Sequence, residues 1–509
     1  MSGAGLVNGS VRSARGELGA NIREGERHVA VIGGGIAGLA AAHALLQRAD
    51  PPVRVTLLEA TRRLGGKIRT ESIASHRIDV GAESLMARVP ATIELCCELG
   101  LEHELIAARE TSSSVWTHGR MRPLPPGILG GLPQGLRPVL GSRILSAAGV
   151  ARAALDLLLP ASPMDGDRSV GEIVARRLGG QTLDRLVDPL LGTVYAADCH
   201  ALSARATAPQ IDRIAREHRS LIRGLRAERR PDAAEPDPRP LFVTLPGGLQ
   251  RLVQRLAQEL GNAGQAKVEE RLGVCAGRLE RAAGGRYLLG VCDGDEPLLL
   301  DGVVIAAPAD QAAIVLDAIA PLAATRLRSI RYASTVVVTL RYPGSAASRP
   351  LPGAGFLVPQ SERRLLGACT SLSAKWPHLA ATGDLWLRCS VAHASTAGAL
   401  AMDDEALLAR LAGELREAIG LRGDPIDAHV TRWRRSLPRY DPGHLDRVER
   451  IEEQIAQLSG VALAGAAYRG MGVPQCIAQG RAAAERVLGE LRDPTYLTID
   501  SGPACLPAR

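Results

Sequence analysis

Residues 28–67 read HVAVIGGGIAGLAAAHALLQRADPPVRVTLLEATRRLGGK. An apolar run, His28–Ile32, leads into Gly33, Gly35 and Gly38 in G-x-G-x-x-G spacing. Small residues from Ile36 onward suit a closely packed helix. A second apolar run, Val53–Leu58, ends on Glu59. Strand, glycine turn, helix and strand in that order predict a βαβ unit. In such a unit Gly33 permits the tight turn, Gly35 lets backbone N–H groups approach a pyrophosphate, and Gly38 lets the helix pack on the strand. The helix N-terminus carries unpaired N–H donors and roughly half a positive charge, so a phosphate belongs there. Glu59 follows Gly38 by about 20 residues, where a carboxylate can accept hydrogen bonds from both hydroxyls of a ribose. Such charge-assisted bonds contribute about 1.5–3 kcal/mol.

The residues after Glu59 separate two nucleotide cofactors. Arg63-x-Gly65-Gly66-Lys67 places a second glycine pair beside two cations, which suits the same pyrophosphate approached from its other side. That arrangement is similar to two-dinucleotide-fold flavoproteins and selects FAD over NAD.

A chain of 509 residues accommodates two or three domains with a large core. Only two Phe and seven Tyr are present, so Leu, Val, Ile and Ala must build that core. The scarcity of rings argues against a nucleic-acid stacking surface. A net charge of +7 and a pI near 9.1 favour anionic small molecules or an anionic surface. Nine cysteines are scattered without a CxxC pair, a reduced cytosolic pattern with no metal site. Residues 1–27 lack an apolar segment of the secretory kind and read as a disordered tail, and 492–509 as a flexible one. Arg152 and Asp156 interrupt the longest apolar stretch, Ile144–Pro160, so no membrane span is expected.

Three separated stretches, 28–88, 241–309 and 455–491, are expected to assemble one FAD-binding domain. In the second, Leu245-Pro246-Gly247-Gly248 precedes a helix with Leu249, Leu252, Val253, Leu256 and Leu260 at helical spacing. Strands follow around Val268–Leu279 and at Val303–Ala307. Residues 89–115 and 310–454 suit a mixed-sheet substrate domain, with strands Thr335–Arg341 and Leu385–Val391 and a helix at Asp404–Ile419. Residues 116–240 read as a helical insertion ended by a linker, Pro231–Pro240. Within it Ile211–Arg230 reads as one amphipathic stretch. Ile211, Ile214, His218, Leu221, Ile222 and Leu225 share a face, opposite Arg213, Arg216, Arg219, Arg223 and Arg226. Those arginines form either a solvated face or a rim that attracts an anionic substrate, a partner or acidic lipid.

The third stretch reads VALAGAAYRGMGVPQCIAQGRAAAERVLGEL over Val461–Leu491. A strand delivers Gly465, a loop holds Gly470 and Gly472, and Pro474 suits the first position of a helix because its missing N–H is unpaired there anyway. Ile477, Ala484, Val487, Leu488 and Leu491 mark the helix's buried face. A helix N-terminus aimed at the N1/C2=O edge of a flavin favours its reduced, negatively charged form by about 0.3–1 kcal/mol, or roughly 2 when partly buried.

These segments together resemble the porphyrinogen oxidases of the monoamine-oxidase-like flavoprotein superfamily, over nearly all of residues 28–491. The likeness rests on GGGIAGLAAA, LLEATRRLGGKIRT, IDVGAESLMAR, PLLGTVYAAD, LSARATAPQ, LPGGLQRLV, LPRYDPGHLDRV and LAGAAYRGMGVPQCIAQGRAAA. The GAES form at Gly81–Ser84 looks like the bacterial branch that acts on coproporphyrinogen III. The resemblance implies an α/β fold with a Rossmann-like FAD-binding domain of the p-hydroxybenzoate hydroxylase and amine oxidase type. It implies a six-electron oxidation of coproporphyrinogen III to coproporphyrin III in haem biosynthesis, with non-covalent FAD, oxygen as acceptor and hydrogen peroxide released. FAD contacts carry over to Gly33, Gly34, Gly35, Ile36, Ala37, Gly38, Glu59, Ala60, Arg63, Gly66, Lys67, Gly81, Ala82, Glu83 and Ser84. Further contacts carry over to Ala276 in the second stretch and to Ala466, Met471, Gly472 and Val473 in the last. A ferrochelatase as receiver of the product, and a cytoplasmic location with peripheral contact at the inner face of the membrane, are implied by the family only.

Two departures bear on the substrate. The family's GGVYAG-like loop reads here Gly192-Thr193-Val194-Tyr195-Ala196-Ala197, and Arg439 stands where Gln is usual in LPQY. Thr193, Tyr195 and Arg439 are therefore the candidate substrate residues. Arg439, with its bidentate fork, and Lys375 are candidates for a substrate propionate, against an ordinary surface role for each. No catalytic side chain is assigned, because the product gains aromaticity and no strong base is required. Other readings are protoporphyrinogen IX as substrate, an amine oxidase of the same fold, a carotenoid-type desaturase, or a non-catalytic porphyrin carrier. An amine site is flanked by an aromatic pair, and only Tyr468 lies in the relevant region. A covalent flavin through Cys476 is disfavoured, since a cysteine after Pro474 on that helix faces packing.

Overall fold

The structure, a computed structural model, describes residues 27–126, 128–129, 131–160, 165–228, 239–264, 267–292, 296–349, 351 and 353–492. Residues 1–26 and 493–509 of the two expected tails, and 231–238 of the expected linker, lie outside them. Arg27 and Arg492, assigned above to the tails, belong instead to the folded body. Arg27 begins a strand and pairs with Asp301 at 3.2 Å, and Arg492 ends a helix with its guanidinium on the carbonyls of Arg48 and Asp50.

Five parallel strands form the central sheet, in the order Val268–Leu272, Val53–Glu59, Arg27–Ile32, Gly302–Ile305 and Val461–Leu463. Each of the three stretches expected to belong to one FAD-binding domain contributes at least one strand to it. Both faces are covered, as a parallel sheet requires. Val29 and Val31 point into one core, shared with helices Ile36–Arg48, Gln250–Asn262 and Val473–Arg492. Ala30 and Ile32 point into the other, with helices Ala309–Leu316, Pro321–Arg328 and His444–Ile455. A three-stranded antiparallel sheet, Ala276–Arg281, Tyr287–Val291 and Leu298–Leu300, packs on that second core.

The first helix is buried almost throughout, which its small residues permit. A Cβ at Gly480 of the last helix would stand 2.1 Å from the Ala37 carbonyl, so the two helices touch backbone to backbone. The last helix begins at Val473, one residue before the expected Pro474.

The second sheet has seven strands, in the order Asp427–Pro438, Tyr332–Pro343, Asp384–Val391, Leu366–Ser371, Gly355–Leu357, Ser113–Thr117 and Arg120–Pro123. Helix Asp404–Ile419, found at its expected bounds, covers one face. Buried Glu414 binds the helix to the sheet by accepting from the N–H groups of Leu365 and Leu366 at 2.9 and 2.8 Å. The expected boundary between residues 115 and 116 cuts through a hairpin. Trp116 pairs with Met121 across a turn at His118 and Gly119, both at positive φ, so Arg120–Pro123 is a strand of this sheet.

The insertion is helical, with its own core around Val170, Ile173, Val187, Ile211, Ile222 and Leu225. Ile211–Arg230 is not one helix but two, Pro209–Glu217 and Leu221–Ala227. Buried Asp156 causes the break. It accepts from Ser220 Oγ at 2.6 Å and from Ile222 N at 3.0 Å, while Ser220 caps the second helix. The five arginines opposite that face are exposed, and four of them are tied to neighbouring groups. Arg213 pairs with Glu217 and Glu228, Arg216 is bidentate on Asp212, Arg219 donates to the carbonyls of residues 157–159, and Arg226 donates to the Gln134 carbonyl.

Candidate functional site

The C-terminal ends of the central strands meet at the glycine turn. Gly33 has φ +109°, and a Cβ there would lie 2.7 Å from the Ala306 carbonyl oxygen, while one at Gly38 would lie 1.8 Å from the Gly33 oxygen. Packing within the protein thus demands both glycines. Gly35 differs, because its Cβ would meet nothing within 4 Å. Gly35 leads into helix Ile36–Arg48, which has no side-chain cap and no acidic residue in its first turn. An open glycine before an uncapped helix N-terminus fits a pyrophosphate. The second glycine pair closes on the first: Gly65 N–H donates to the Gly34 carbonyl at 2.8 Å, and a Cβ on Gly66 would lie 3.2 Å from Gly35 Cα.

Of the two cations beside this turn, Lys67 makes no side-chain hydrogen bond or ion pair among the described residues. Its side chain is solvent-accessible yet surrounded by protein, and this desolvation lowers its pKa. Arg63 instead donates to the carbonyls of Leu64 and Ile68 at 3.1 Å each, and to that of Gly66. It shapes the loop that carries Lys67.

At the end of strand Val53–Glu59, the Glu59 carboxylate accepts from Gly34 N at 2.7 Å and Thr61 N at 2.9 Å, and lies 2.8 Å from Thr61 Oγ1, whose one proton can go to it or to the Arg63 carbonyl at 2.9 Å. A carboxylate offers about four lone-pair sites. One site remains, or two when the Thr61 proton goes to the Arg63 carbonyl, so Glu59 keeps capacity to accept from a ribose. Val274 N–H donates to the Glu59 carbonyl at 3.0 Å, bringing half-buried Ala276 alongside.

Residues 79–83 are held from both sides. From the nucleotide side, Ala82 N–H donates to the Lys67 carbonyl at 3.1 Å, and the Asp79 carboxylate accepts from Thr70 Oγ1 at 2.5 Å and Leu249 N at 3.0 Å. Burial raises the Asp79 pKa to about 6 in spite of these bonds. From the seven-stranded sheet, Arg388 donates to the carbonyls of Asp79 and Gly81 at 2.8 and 2.6 Å, and Trp433 Nε1 to that of Val80 at 2.9 Å. Lys375 forms an ion pair with Glu83, its ammonium 4.9 Å from the rings of both Phe242 and Trp376. Lys375 is thus buried and already paired, which corrects both sequence readings of it, propionate ligand and surface lysine.

The loop 464–472 follows strand Val461–Leu463 of the central sheet. Tyr440 Oη donates to the Ala466 carbonyl at 2.6 Å and accepts Gly470 N–H at 3.0 Å. His444 Nε2 bonds the Tyr468 carbonyl at 2.9 Å. Ala466, Met471, Gly472 and Val473 are half-buried around this loop. Cys476 is buried with its thiol pushed up to about 11, mainly by desolvation.

Of the substrate candidates, Tyr195 is half-buried and tilts onto Tyr440, ring centroids 6.1 Å apart, and Thr193 is half-buried on the same helix, Asp188–Tyr195. Arg439 Nη2 donates to Asp441 at 2.9 Å, and Arg331 pairs with the other carboxylate oxygen at 2.9 Å. The cluster keeps one net positive charge, and Arg439 Nε is buried without a partner. Arg331, Arg388, Trp433, Tyr440 and His444 were not singled out from sequence. Their partners lie too far along the chain for spacing to indicate.

The chain matches the family described as flavin containing amine oxidoreductase over residues 36–488. It is 33% identical over 472 residues to the coproporphyrinogen III oxidase of Bacillus subtilis (strain 168), covering 91% of this chain and 98% of that protein. It is 32% identical to the protoporphyrinogen oxidase of Bos taurus, over 91% of this chain and 98% of that protein. A crystal structure from Exiguobacterium sp. 255-15, of a protein assigned as a protoporphyrinogen oxidase, superimposes with a TM-score of 0.78 at 30% identity, over 92% of this chain and 99% of that one.

Proposed function

The chain belongs to the flavin-containing amine oxidoreductases and binds FAD, and from that premise we propose that it oxidises coproporphyrinogen III to coproporphyrin III in haem synthesis. Supporting this substrate is the likeness, along nearly the whole chain, to proteins named for it. Six hydrogens leave the macrocycle in three two-electron rounds. We assign the acceptor as molecular oxygen, so that three O2 become three H2O2. Bound FAD supplies the two-electron acceptance that no side chain can.

The protein's own residues hold and orient. Gly33, Gly34, Gly35, Ile36, Ala37, Gly38 and Lys67 receive the pyrophosphate, with Gly66 and Arg63 shaping the loop opposite. Glu59, Ala60 and Ala276 flank the adenosine. Gly81, Ala82, Glu83 and Ser84 on one side, and Ala466, Met471, Gly472 and Val473 on the other, bracket the flavin, which is held non-covalently. The high pKa of the Cys476 thiol disfavours thiolate attachment. Thr193, Tyr195 and Arg439 line the substrate side, where Arg439 and Arg331 present their net charge to a propionate.

One structural observation weighs against an amine substrate. Tyr440 and Tyr468 are 1% and 2% exposed, so neither ring is open to flank an amine. Protoporphyrinogen IX remains the second reading, on the likeness to the bovine enzyme.

Among the described residues no helix is long and apolar enough to cross a membrane. Leu140, Leu155 and Leu158, each at least 45% exposed on the helical insertion, support a peripheral contact with the inner face of the membrane from a cytoplasmic location. A ferrochelatase is the proposed receiver of the product.

The test is a side-by-side assay of the two porphyrinogens by product fluorescence. It is joined to anaerobic mixing, in which coproporphyrinogen, and not an amine, should bleach the flavin. A flavin left unbleached by both porphyrinogens would sink the enzyme reading and favour a carrier.

A further inference from the structure

Two exposed cysteines flank the end of one strand pair, each one residue beyond it. Ala276 pairs with Val291 in the antiparallel strands Ala276–Arg281 and Tyr287–Val291, which sets Cys275 opposite Cys292. The Cys292 N–H donates to the Cys275 carbonyl at 2.9 Å. Residues opposed in a hydrogen-bonded antiparallel pair have Cα atoms about 5.5 Å apart, and this bond extends that pairing by one step beyond the strands. That separation falls in the middle of the range disulfides adopt, roughly 4.4–6.8 Å. Both residues are exposed and both thiols are reduced.

We propose that Cys275 and Cys292 are an oxidisable dithiol that closes to a disulfide under hydrogen peroxide. One thiol attacks the peroxide: an S–O bond forms, the O–O bond breaks, and the departing hydroxide takes the thiol's proton to become water. The second thiol attacks the resulting sulfenic sulfur: an S–S bond forms, the S–O bond breaks, and a second water leaves with the second thiol's proton. Two thiols lose two electrons in all, and one peroxide gains them.

The molecule contains its own comparison. Cys369 and Cys389 are also directly opposed across antiparallel strands, yet they are 1% and 0% exposed, and hydrogen bonding to Cys389 and burial raise the Cys369 thiol. The same register without access should stay reduced. Cys97 is exposed and, among the described residues, stands opposite no cysteine across a strand pair, so it serves as the single-thiol comparison.

The position of the dithiol gives the bridge a consequence. Gly273 N–H and Val274 N–H, the two residues before Cys275, donate to the carbonyls of Thr61 and Glu59. A closed bridge staples this turn to the neighbouring strand, directly behind the loop assigned above to the adenosine. That consequence rests on the proposed FAD site, whereas closure itself does not.

The experiment treats the purified full-length holoenzyme with hydrogen peroxide in the absence of substrate, followed by alkylation, trypsin and mass spectrometry. Arg278, Arg281 and Arg286 lie between the two cysteines, so trypsin leaves them on separate peptides that only a disulfide can join. The expected result is a linked pair lighter by two hydrogens, simultaneous loss of alkylation at Cys275 and Cys292, and recovery with dithiothreitol. C275S and C292S should each abolish the linked peptide and leave a sulfenic acid on the remaining cysteine. Unlinked peptides carrying oxygen adducts, or both cysteines still alkylated when Cys97 is oxidised, would overturn the proposal. Because peroxide is added, either result holds whatever the enzyme's substrate proves to be.

Discussion

Tyr440 and His444 lie face to face, their ring centroids 4.1 Å apart and their planes inclined by 15°. Together they fix three alternate residues of the loop before the last helix: Ala466 and Gly470 through the phenol, Tyr468 through the imidazole. The loop expected to meet the flavin is therefore shaped by residues that follow strand Asp427–Pro438 of the other sheet. Y440F keeps the ring and the stack but leaves the Ala466 carbonyl and the Gly470 N–H without their partner. A loss of about 1–3 kcal/mol in unfolding free energy is expected, with faster FAD release. Denaturant titration and flavin fluorescence on dilution measure the two.

His444 also makes the loop acid-sensitive. It is fully buried, and desolvation lowers its pKa to about 4 from 6.5. A depressed histidine pKa means that the unfolded chain binds the proton more readily. The stabilisation is therefore complete above pH 6.5 and declines as pH falls toward 4. The shift corresponds to about 3 kcal/mol. Denaturation of wild type and H444Q at pH 7 and at pH 4.5 should show wild type losing more stability than the variant. Equal losses would remove His444 as a cause.

How far the sequence could be read depended on the range of the interactions. The parallel sheet was legible because its inner strands are largely apolar and its glycines lie at fixed offsets within one βαβ unit. The break after Glu217 was not, because apolar spacing continues through it, and its cause, Asp156, lies 64 residues before Ser220. The role of Lys375 was hidden for the same reason, with its partner Glu83 292 residues away.

The pair of Lys375 and Glu83 is 11% and 15% exposed, so removing one partner strands a charge. K375M should cost about 3–5 kcal/mol. K375M with E83Q should recover most of that cost, because neither retained group is then charged. A double-mutant cycle by denaturant titration measures the coupling, and additive losses would mean that the two side chains do not act as a pair.

Glu59 links the first glycine turn to Thr61 and keeps capacity to accept from a ribose. E59A should weaken FAD binding by about 1.5–3 kcal/mol, roughly 10–150-fold. E59Q keeps an acceptor oxygen and should fall between the variant and wild type. FAD retention after gel filtration provides the reading. Retention unchanged in E59A would remove the carboxylate from the adenosine site.

Arg439 shares the Asp441 carboxylate with Arg331, so the cluster offers one net charge, and a propionate arriving at Arg439 competes with Asp441 for the same guanidinium. R439Q leaves the cluster neutral, with Arg331 still balancing Asp441. A substrate with four propionates depends on such a contact more than one with two. R439Q should therefore raise KM for coproporphyrinogen more than for protoporphyrinogen, while kcat changes less, since binding and not chemistry is altered. The four-propionate preference should also weaken with added salt in wild type and respond less in R439Q. If both substrates respond alike, Arg439 holds Asp441 in place and touches no propionate.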